Sequence, residues 1–227
     1  QGKVLVTTVA PELPGAITYI RGVAARGVRV SLGHHAADAE QIARAVDAGA
    51  TLCTHLGNGA ASQMHRHQNP LWPQMADDRL TAGVIADLHH LPPSLLKVMV
   101  RAKTPARIIL TSDGTNLAGC KPGEYAFGGA RVELRKDGKI CLLGTDLLAG
   151  SALMLIEGVV NAWRMTDMTL TEALASASAI PARALGLRAA PYGPAPGHTA
   201  NFLVFTARRD ATEKAKIHTV FIRGARV

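Results

Sequence analysis

The chain has 227 residues, of which 48% are hydrophobic and 19% are charged, proportions typical of a globular protein. No apolar run approaches the roughly 18 residues of a membrane-spanning helix, so we expect no membrane partner. The formal net charge is +8, but the basic residues are scattered or mixed with acids, so we expect no nucleic-acid partner either. The three cysteines are widely spaced and form no CxxC pair, which argues against a disulfide framework and favours a cytoplasmic protein.

Apolar runs alternate with amphipathic segments in the first half of the chain. Asp38 and Gln41 form a predicted capping box at the start of one helix, and Pro92-Pro93 begins another. Sequential strand and helix units of this length predict a parallel sheet with right-handed crossovers, and so an α/β fold. The five runs predicted as strands are residues 4–9, 28–32, 51–56, 82–87 and 107–111.

The pattern changes beyond residue 114. Residues 125–143 are typical of a β-hairpin, with Asp137-Gly138 at its turn. The remaining predicted elements are, in chain order, a helix at 151–164, a helix that begins with a capping box of Thr169 and Glu172, a helix from Pro181, a turn-rich connector at 191–201, and strands at 201–206 and 217–227.

Histidines or carboxylates stand at the ends of four neighbouring predicted strands. Because the carboxyl ends of parallel strands meet at one rim, we expect these side chains to lie close together. Imidazoles with a carboxylate are a donor set for a borderline divalent metal such as Zn²⁺, so the pattern predicts a metal or catalytic site. The rim residues are His34 and His35, then His55 and Asn58, then Asp87, His89 and His90, and finally Asp113. For the other histidines, the positions in the sequence favour a structural role. These are His65, His67, His198 and His218.

Such a site predicts metal-assisted hydrolysis. Asp113 would take a proton from the attacking water and return it to the leaving nitrogen, as general base and then general acid. His90, neutral or protonated, would hydrogen-bond the carbonyl oxygen as negative charge develops on it. The structural alternatives are a turn-capping Asp113, because Asp-Gly is a common turn pair, and a helix-entry role for His90 before Pro92.

Eight segments in a fixed order resemble the N-acetylglucosamine-6-phosphate deacetylase family of the amidohydrolase superfamily, in the C-terminal part of the enzyme. They are VTTVAPE, VSLGHHAAD, THLGNG, GVIADLHH, LTSDGT, LLAGSALM, PARALGL and PGHTANFLVF. The resemblance implies a partial (β/α)₈ TIM-type barrel of about five parallel βα units. It implies a barrel part at residues 1–190, with a β-hairpin insertion at 125–145, and the strands of a small C-terminal β element at 191–227.

The resemblance also implies an activity, a cofactor and site residues. The activity is metal-dependent removal of the acetyl group from an N-acetylated amino sugar, N-acetylglucosamine or its 6-phosphate. The cofactor is a divalent metal, zinc in the first place, with iron and manganese as alternatives. The residues that match are His34, His55 and Asp113 for the metal, Asp113 and His90 for catalysis, and Asn58, Gly59, His90, Leu148 and Ala149 for the substrate. Arg66 is also expected to bind the substrate, although it lies in a segment that departs from the family pattern.

The sequence departs from the family pattern in three places. The family's earlier barrel strands are absent, and with them a glutamate ligand in a His-Leu-Glu-Gly-Pro motif, which Glu12 does not replace. We therefore expect a fragment, a partner chain that completes the barrel, or a rebuilt site in which His35 or Asp113 serves as ligand. Where the family has Arg-Pro-Gly in its phosphate-binding loop, this sequence has MHRHQNPLWPQ, so an unphosphorylated sugar is an alternative substrate. Where the family has Asp-Gly-Leu-His, this sequence has DLHH.

An incomplete barrel would leave the first and the fifth predicted strands as open edges. Because parallel sheets are normally buried on both faces, we expect a homo-oligomer, a dimer in the first place, or a cover over those edges. Two alternatives to the deacetylase remain open. One is an amidohydrolase that acts on another amide or a cyclic amide, and the other is a truncated, non-catalytic homologue that serves as an interaction module.

Overall fold

The computed structural model describes residues 4–187 and 196–227. Its first half is a five-stranded parallel sheet in which the strands lie in chain order, as predicted. The strands are β1 (Val6–Val9), β2 (Arg29–Leu32), β3 (Ala50–Cys53), β4 (Thr81–Ile85) and β5 (Ile108–Thr111). The helices between them are α1 (Ala16–Ala24), α2 (Ala39–Asp47), α3 (Leu71–Ala76) and α4 (Pro93–Lys103). The helix α3 lies in residues 60–79, whose polar and irregular sequence predicts a loop.

Local sequence signals set the helix boundaries. At the start of α2, the Asp38 carboxylate accepts the backbone N–H of Gln41 at 2.8 Å, and the Gln41 side chain accepts the N–H of Asp38 at 3.0 Å. Thr169 and Glu172 form the same reciprocal pair at the start of α6 (Leu170–Ser176). Both predicted capping boxes are confirmed, and each satisfies backbone donors that a helix start leaves unpaired.

The hydrophobic core lies between the parallel sheet and its helices. Leu32, Val84 and Ile108 are fully buried in the strands and belong to one cluster with Leu96 and Met99 of α4. Strands buried on both faces are the rule for parallel sheets, because helices cover them. The core therefore fixes the strand ends, which carry the candidate site.

A four-stranded antiparallel sheet follows β5. It is formed by β6 (Gly123–Phe127), β7 (Ala130–Leu134), β8 (Lys139–Leu142) and β9 (Leu148–Ser151). The predicted hairpin turn at Asp137-Gly138 joins β7 to β8. The helix predicted from residue 151 is wrong at its start, because Ser151 pairs with Lys139 and α5 (Leu155–Met165) begins four residues later.

The chain ends in a second antiparallel sheet. After α6 and α7 (Ala179–Ala184), three strands form it: β10 (Phe202–Thr206), β11 (Lys216–Ile222) and β12 (Ala225–Arg226). The final predicted strand is thus two strands, joined by a turn in which Arg223 and Gly224 have φ values of +52° and +84°. The predicted domain boundary at 190/191 and part of the 191–201 connector lie outside the described residues.

The two outer strands of the parallel sheet differ in what covers them. The helices α6 and α7 pack against β5, and just beyond it Gly114 pairs with Ser151 of β9. Within the described residues β1 pairs with β2 alone, and Leu13 and Tyr19 beside it are 59% and 48% exposed. The predicted open edge is therefore found at β1, whereas β5 is partly covered.

In residues 4–187 and 196–227, no helix has the length and apolar character needed to span a membrane.

Candidate active site

The chain leaves four neighbouring strands through non-glycine residues with left-handed backbone conformations. The φ value is +53° at His34 after β2, +28° at His55 after β3, +66° at Leu88 after β4 and +46° at Asp113 after β5. Each such residue costs about 1–3 kcal/mol, and residues of this kind cluster at functional sites. Four of them along one edge of the sheet mark its carboxyl rim as the candidate site.

His34 and His55 meet at this rim. Their Nε2 atoms lie 2.8 Å apart, and the two rings are nearly perpendicular with centroids separated by 4.5 Å. Two imidazole lone pairs at this distance repel each other unless one nitrogen carries a proton or both face a cation. The pair is therefore suited to bind a metal through two nitrogens.

Burial favours the neutral form of His55. It is 8% exposed, and its Nδ1 atom has no hydrogen-bond partner among the described residues. Burial lowers the pKa of His55, and charge on His34 lowers it further, while the nearby Asp113 carboxylate acts in the opposite direction. A neutral imidazole is the form that binds metals, so this environment favours ligand function.

Asp113 is near this pair but does not complete it. Its side chain is exposed, and its backbone N–H donates to Thr111 Oγ1 at 3.3 Å. Within residues 4–187 and 196–227, no group of three or more His, Cys, Asp or Glu side chains is arranged to hold a metal ion. Two of the three predicted ligands thus converge, and Asp113 as the third stays a prediction.

The Asp87 carboxylate contacts both the ring and the backbone of His90. One Asp87 oxygen, Oδ1, accepts the backbone N–H groups of His89 and His90 at 2.9 and 2.8 Å. The other, Oδ2, lies 2.7 Å from His90 Nδ1, and both side chains are 8% exposed. Burial acts to raise the pKa of Asp87, but the hydrogen bonds from His90 and His89 outweigh it and leave that pKa below its usual value.

Asp87 had no role in the site predicted from sequence, although the sequence placed it at the rim. The spacing of Asp87 and His90 is the signal that could have identified it. An aspartate just after a strand can accept backbone N–H groups two and three residues later, and this turn brings the residue at the third position back to the carboxylate.

His35 faces a different environment from His34. It is 8% exposed, its Nδ1 atom accepts the N–H of Ala37 at 3.3 Å, and the Gln74 side chain lies near its ring. Burial lowers the pKa of His35. These contacts favour a structural role for His35, so Asp113 is the better candidate for the missing ligand.

Glycines allow the rim segments to approach one another. A Cβ atom on Gly59, whose φ is +67°, would lie 2.7 Å from Nδ1 of His34, so the glycine backbone packs against the His34 ring. Asn58 lines a small cavity with His34, and its Nδ2 atom is buried without a hydrogen-bond partner among the described residues. A free amide donor beside the histidine pair is suited to contact a substrate.

Gly33→Ala is expected to lower the free energy of unfolding by about 1–3 kcal/mol. The added Cβ would lie 2.6 Å from Thr54 Cβ and 2.9 Å from Thr8 Cγ2. Urea titration followed by circular dichroism measures the loss. Gly22→Ala is the control, because it lies inside α1 with its nearest neighbour at 3.5 Å and should leave stability equal or higher. Equal stability of the two variants would contradict the steric account.

The remaining predicted substrate residues lie on two segments. Arg66 is exposed in the loop before α3, and its carbonyl accepts the Trp72 indole N–H at 2.8 Å. Leu148 and Ala149 lie in β9, which joins the rim because Thr115 donates its N–H to Ser151 at 2.9 Å. The strand β9 thus ends close to Asp113, because Ser151 pairs with Gly114, whereas a contact between Arg66 and a substrate stays a prediction.

Comparison with known proteins agrees with this geometry. The chain is 35% identical over 187 residues to the N-acetylgalactosamine-6-phosphate deacetylase of Escherichia coli O157:H7, which covers 82% of this chain and 49% of that protein. It is 35% identical over 192 residues to the N-acetylglucosamine-6-phosphate deacetylase of Homo sapiens, with 82% and 46% covered. The chain therefore spans about half the length of the curated relatives it matches.

A solved structure and a family profile show similarity to the same group of proteins. A mutant N-acetyl-D-glucosamine-6-phosphate deacetylase from Mycobacterium smegmatis, in complex with N-acetyl-D-glucosamine-6-phosphate, superposes with a TM-score of 0.87. Its sequence identity is 29%, and the match covers 99% of this chain and 58% of that one. The profile described as the amidohydrolase family matches residues 2–227. Fold, rim histidines and sequence profile together establish that this chain belongs to the amidohydrolase family.

Proposed function

We propose that this protein is a metal-dependent hydrolase that removes the acetyl group from an N-acetylated amino sugar, with N-acetylglucosamine 6-phosphate as the first candidate substrate. The observation that carries the proposal is the 2.8 Å approach of the His34 and His55 Nε2 atoms at the carboxyl rim. The names of the relatives, which are deacetylases of amino sugar phosphates, support the substrate class.

His34 and His55 would hold the metal, with Asp113 as the nearest carboxylate. Their donor set of imidazole nitrogen and carboxylate oxygen suits zinc and also iron or manganese. When bound, such an ion lowers the pKa of a coordinated water and polarises an amide carbonyl. Among the described residues the buried Nδ1 atom of His55 has no hydrogen-bond partner, so nothing there competes with the use of Nε2 as a ligand.

Asp113 would move the proton. Its exposed carboxylate stands at the rim beside the histidine pair, where a substrate amide can reach it. It takes the proton of the attacking water and gives it to the sugar nitrogen as the C–N bond breaks, which yields acetate and a free amine. His90 would hydrogen-bond the amide oxygen during the attack.

The sugar would lie against the two glycine-containing segments of the rim. Asn58 supplies a free amide donor, and the Gly59 backbone leaves space beside His34. Leu148 and Ala149 would close over the sugar ring from β9. Arg66 would bind a phosphate at the far end of the substrate, because a guanidinium group matches phosphate geometry.

Two simpler features support a proposed location and a proposed assembly. The three cysteines are free, which supports a reducing cytoplasm. The open edge of β1 supports assembly into a homodimer or a larger homo-oligomer. A monomer at high concentration in size-exclusion chromatography with light scattering would count against that assembly.

Acetate release from N-acetylglucosamine 6-phosphate and from N-acetylglucosamine tests the substrate. With Arg66→Ala, we expect KM for the phosphorylated sugar to rise about 10- to 100-fold, the equivalent of one charge-assisted hydrogen bond. KM for the unphosphorylated sugar should not change. Arg26→Ala is the control, because among the described residues the Arg26 side chain donates a hydrogen bond only to the Gly22 carbonyl of α1.

Three results would change the proposal. Equal effects of Arg66→Ala on both sugars would remove Arg66 from the phosphate site. Metal binding without acetate release from either sugar, but with turnover of a cyclic amide, would favour the other amidohydrolase reaction. Neither metal binding nor turnover would favour a non-catalytic homologue.

A further inference from the structure

The tautomer of His90 is set by its contact with Asp87. The carboxylate of Asp87 has a lowered pKa and is ionised near neutral pH, so both its oxygens can only accept hydrogen bonds. Oδ1 is already occupied by two backbone N–H groups, and Oδ2 lies 2.7 Å from His90 Nδ1. The Nδ1 atom must therefore carry a proton.

This arrangement leaves the other nitrogen of His90 for the substrate. The described residues give Nε2 no hydrogen bond, and both Asp87 and His90 have side chains that are only 8% exposed. Leu88, with φ at +66°, begins the turn that brings the two side chains together. A buried carboxylate that accepts a hydrogen bond from one ring nitrogen fixes both the tautomer and the orientation of the ring.

We propose that Asp87 is a positioning residue that holds His90 as the Nδ1–H tautomer and presents Nε2 to the substrate. In this tautomer a neutral His90 offers a lone pair at Nε2. Donation to the amide oxygen then requires the doubly protonated ring, whose positive charge the Asp87 carboxylate offsets. The tautomer assignment does not depend on the proposed function. Only the expected effect on acetate release rests on the proposed function.

The first test uses the unmodified protein. Nitrogen-15 NMR of histidine-labelled protein, with the His90 signals assigned by their absence in His90→Gln, reports which ring nitrogen carries the proton. We expect a protonated Nδ1 in the neutral form of His90. A neutral His90 protonated at Nε2 would overturn the proposal, whether or not the protein releases acetate.

The second test uses Asp87→Asn, which keeps the shape of the side chain. The asparagine oxygen can still accept the two backbone N–H groups, so its NH₂ group faces His90 Nδ1 and forces the Nε2–H tautomer. We expect that switch in the NMR spectrum. Because a neutral Nε2–H group is a weaker donor than the imidazolium that the Asp87 carboxylate stabilises, we also expect a fall in kcat of about 100-fold, with a smaller change in KM. Unchanged kcat with the tautomer switched would overturn the catalytic part.

His89→Leu is the matched control, because it alters the adjacent residue and keeps the backbone N–H that Asp87 accepts. The His89 side chain contacts the Asp137 carbonyl at 3.3 Å, away from the Asp87–His90 pair. We expect wild-type kcat and the wild-type tautomer of His90. A loss of kcat in His89→Leu equal to that in Asp87→Asn would overturn the proposal, since disturbance of the loop would then explain both.

Discussion

Replacing His34 or His55 by alanine is expected to remove the bound metal and to lower acetate release by about 1,000-fold. A metal that activates water and polarises a carbonyl contributes several kcal/mol to the transition state, and every 1.4 kcal/mol is a factor of ten. With the two Nε2 atoms only 2.8 Å apart, the loss of either nitrogen leaves a single neutral donor. Elemental analysis and an acetate assay on the same samples measure both effects.

The His34 variant is the cleaner of the two. His34 is exposed, so its removal leaves no cavity in the core, whereas His55 is buried and its removal also costs packing. His218→Ala is the control, because His218 lies in β11 and contacts Thr206 across the C-terminal sheet. Full metal content in His34→Ala together with wild-type acetate release would contradict the site.

Asp113→Asn is expected to lower kcat by about 100- to 10,000-fold, the usual contribution of a general acid and base. Asparagine has nearly the same shape and tolerates positive φ as well as aspartate does, so the backbone at +46° should persist. The amide cannot accept the proton of the attacking water. Steady-state kinetics of acetate release measure the loss, and thermal unfolding checks the fold.

Metal content separates the two roles predicted for Asp113. If the carboxylate only moves protons, Asp113→Asn retains its metal, and if the carboxylate is also a ligand, the metal is lost with the activity. Asp137→Asn is the control, because Asp137 also precedes a glycine at a turn and its carboxylate accepts the Lys139 N–H at 3.0 Å. Wild-type kcat in Asp113→Asn would contradict both roles.

The order of strands and helices could be read from the sequence because it depends on local signals. Apolar runs of strand length and capping boxes such as Asp38 with Gln41 act over a few residues. Strand ends were less predictable. The third strand was expected to reach residue 56 but ends at Cys53, since the chain turns through the left-handed conformation of His55, which no apolar pattern encodes.

Two elements were missed because they depend on distant partners or weak local preference. Leu148–Ser151 became a strand through its pairing with Lys139–Leu142, so the segment alone did not indicate it. The helix Leu71–Ala76 is six residues long and contains Pro73, a residue that is unfavourable inside helices.

The meeting of His34 and His55 was predictable, because neighbouring parallel strands place their carboxyl ends side by side. The difference between His34 and His35 was not. It depends on packing against α3, whose Gln74 comes from a separate segment of the chain and acts to raise the pKa of His35. Tertiary packing of this kind decides which of two adjacent histidines is free to bind a ligand.

The most direct test is diffraction from a crystal of this protein soaked in Zn²⁺, with data collected at the zinc absorption edge. An anomalous peak about 2.0–2.1 Å from the Nε2 atoms of both His34 and His55 is the predicted result. Zinc bound elsewhere, with no peak between these two nitrogens at saturating concentration, would contradict the metal site and the hydrolysis assigned to it.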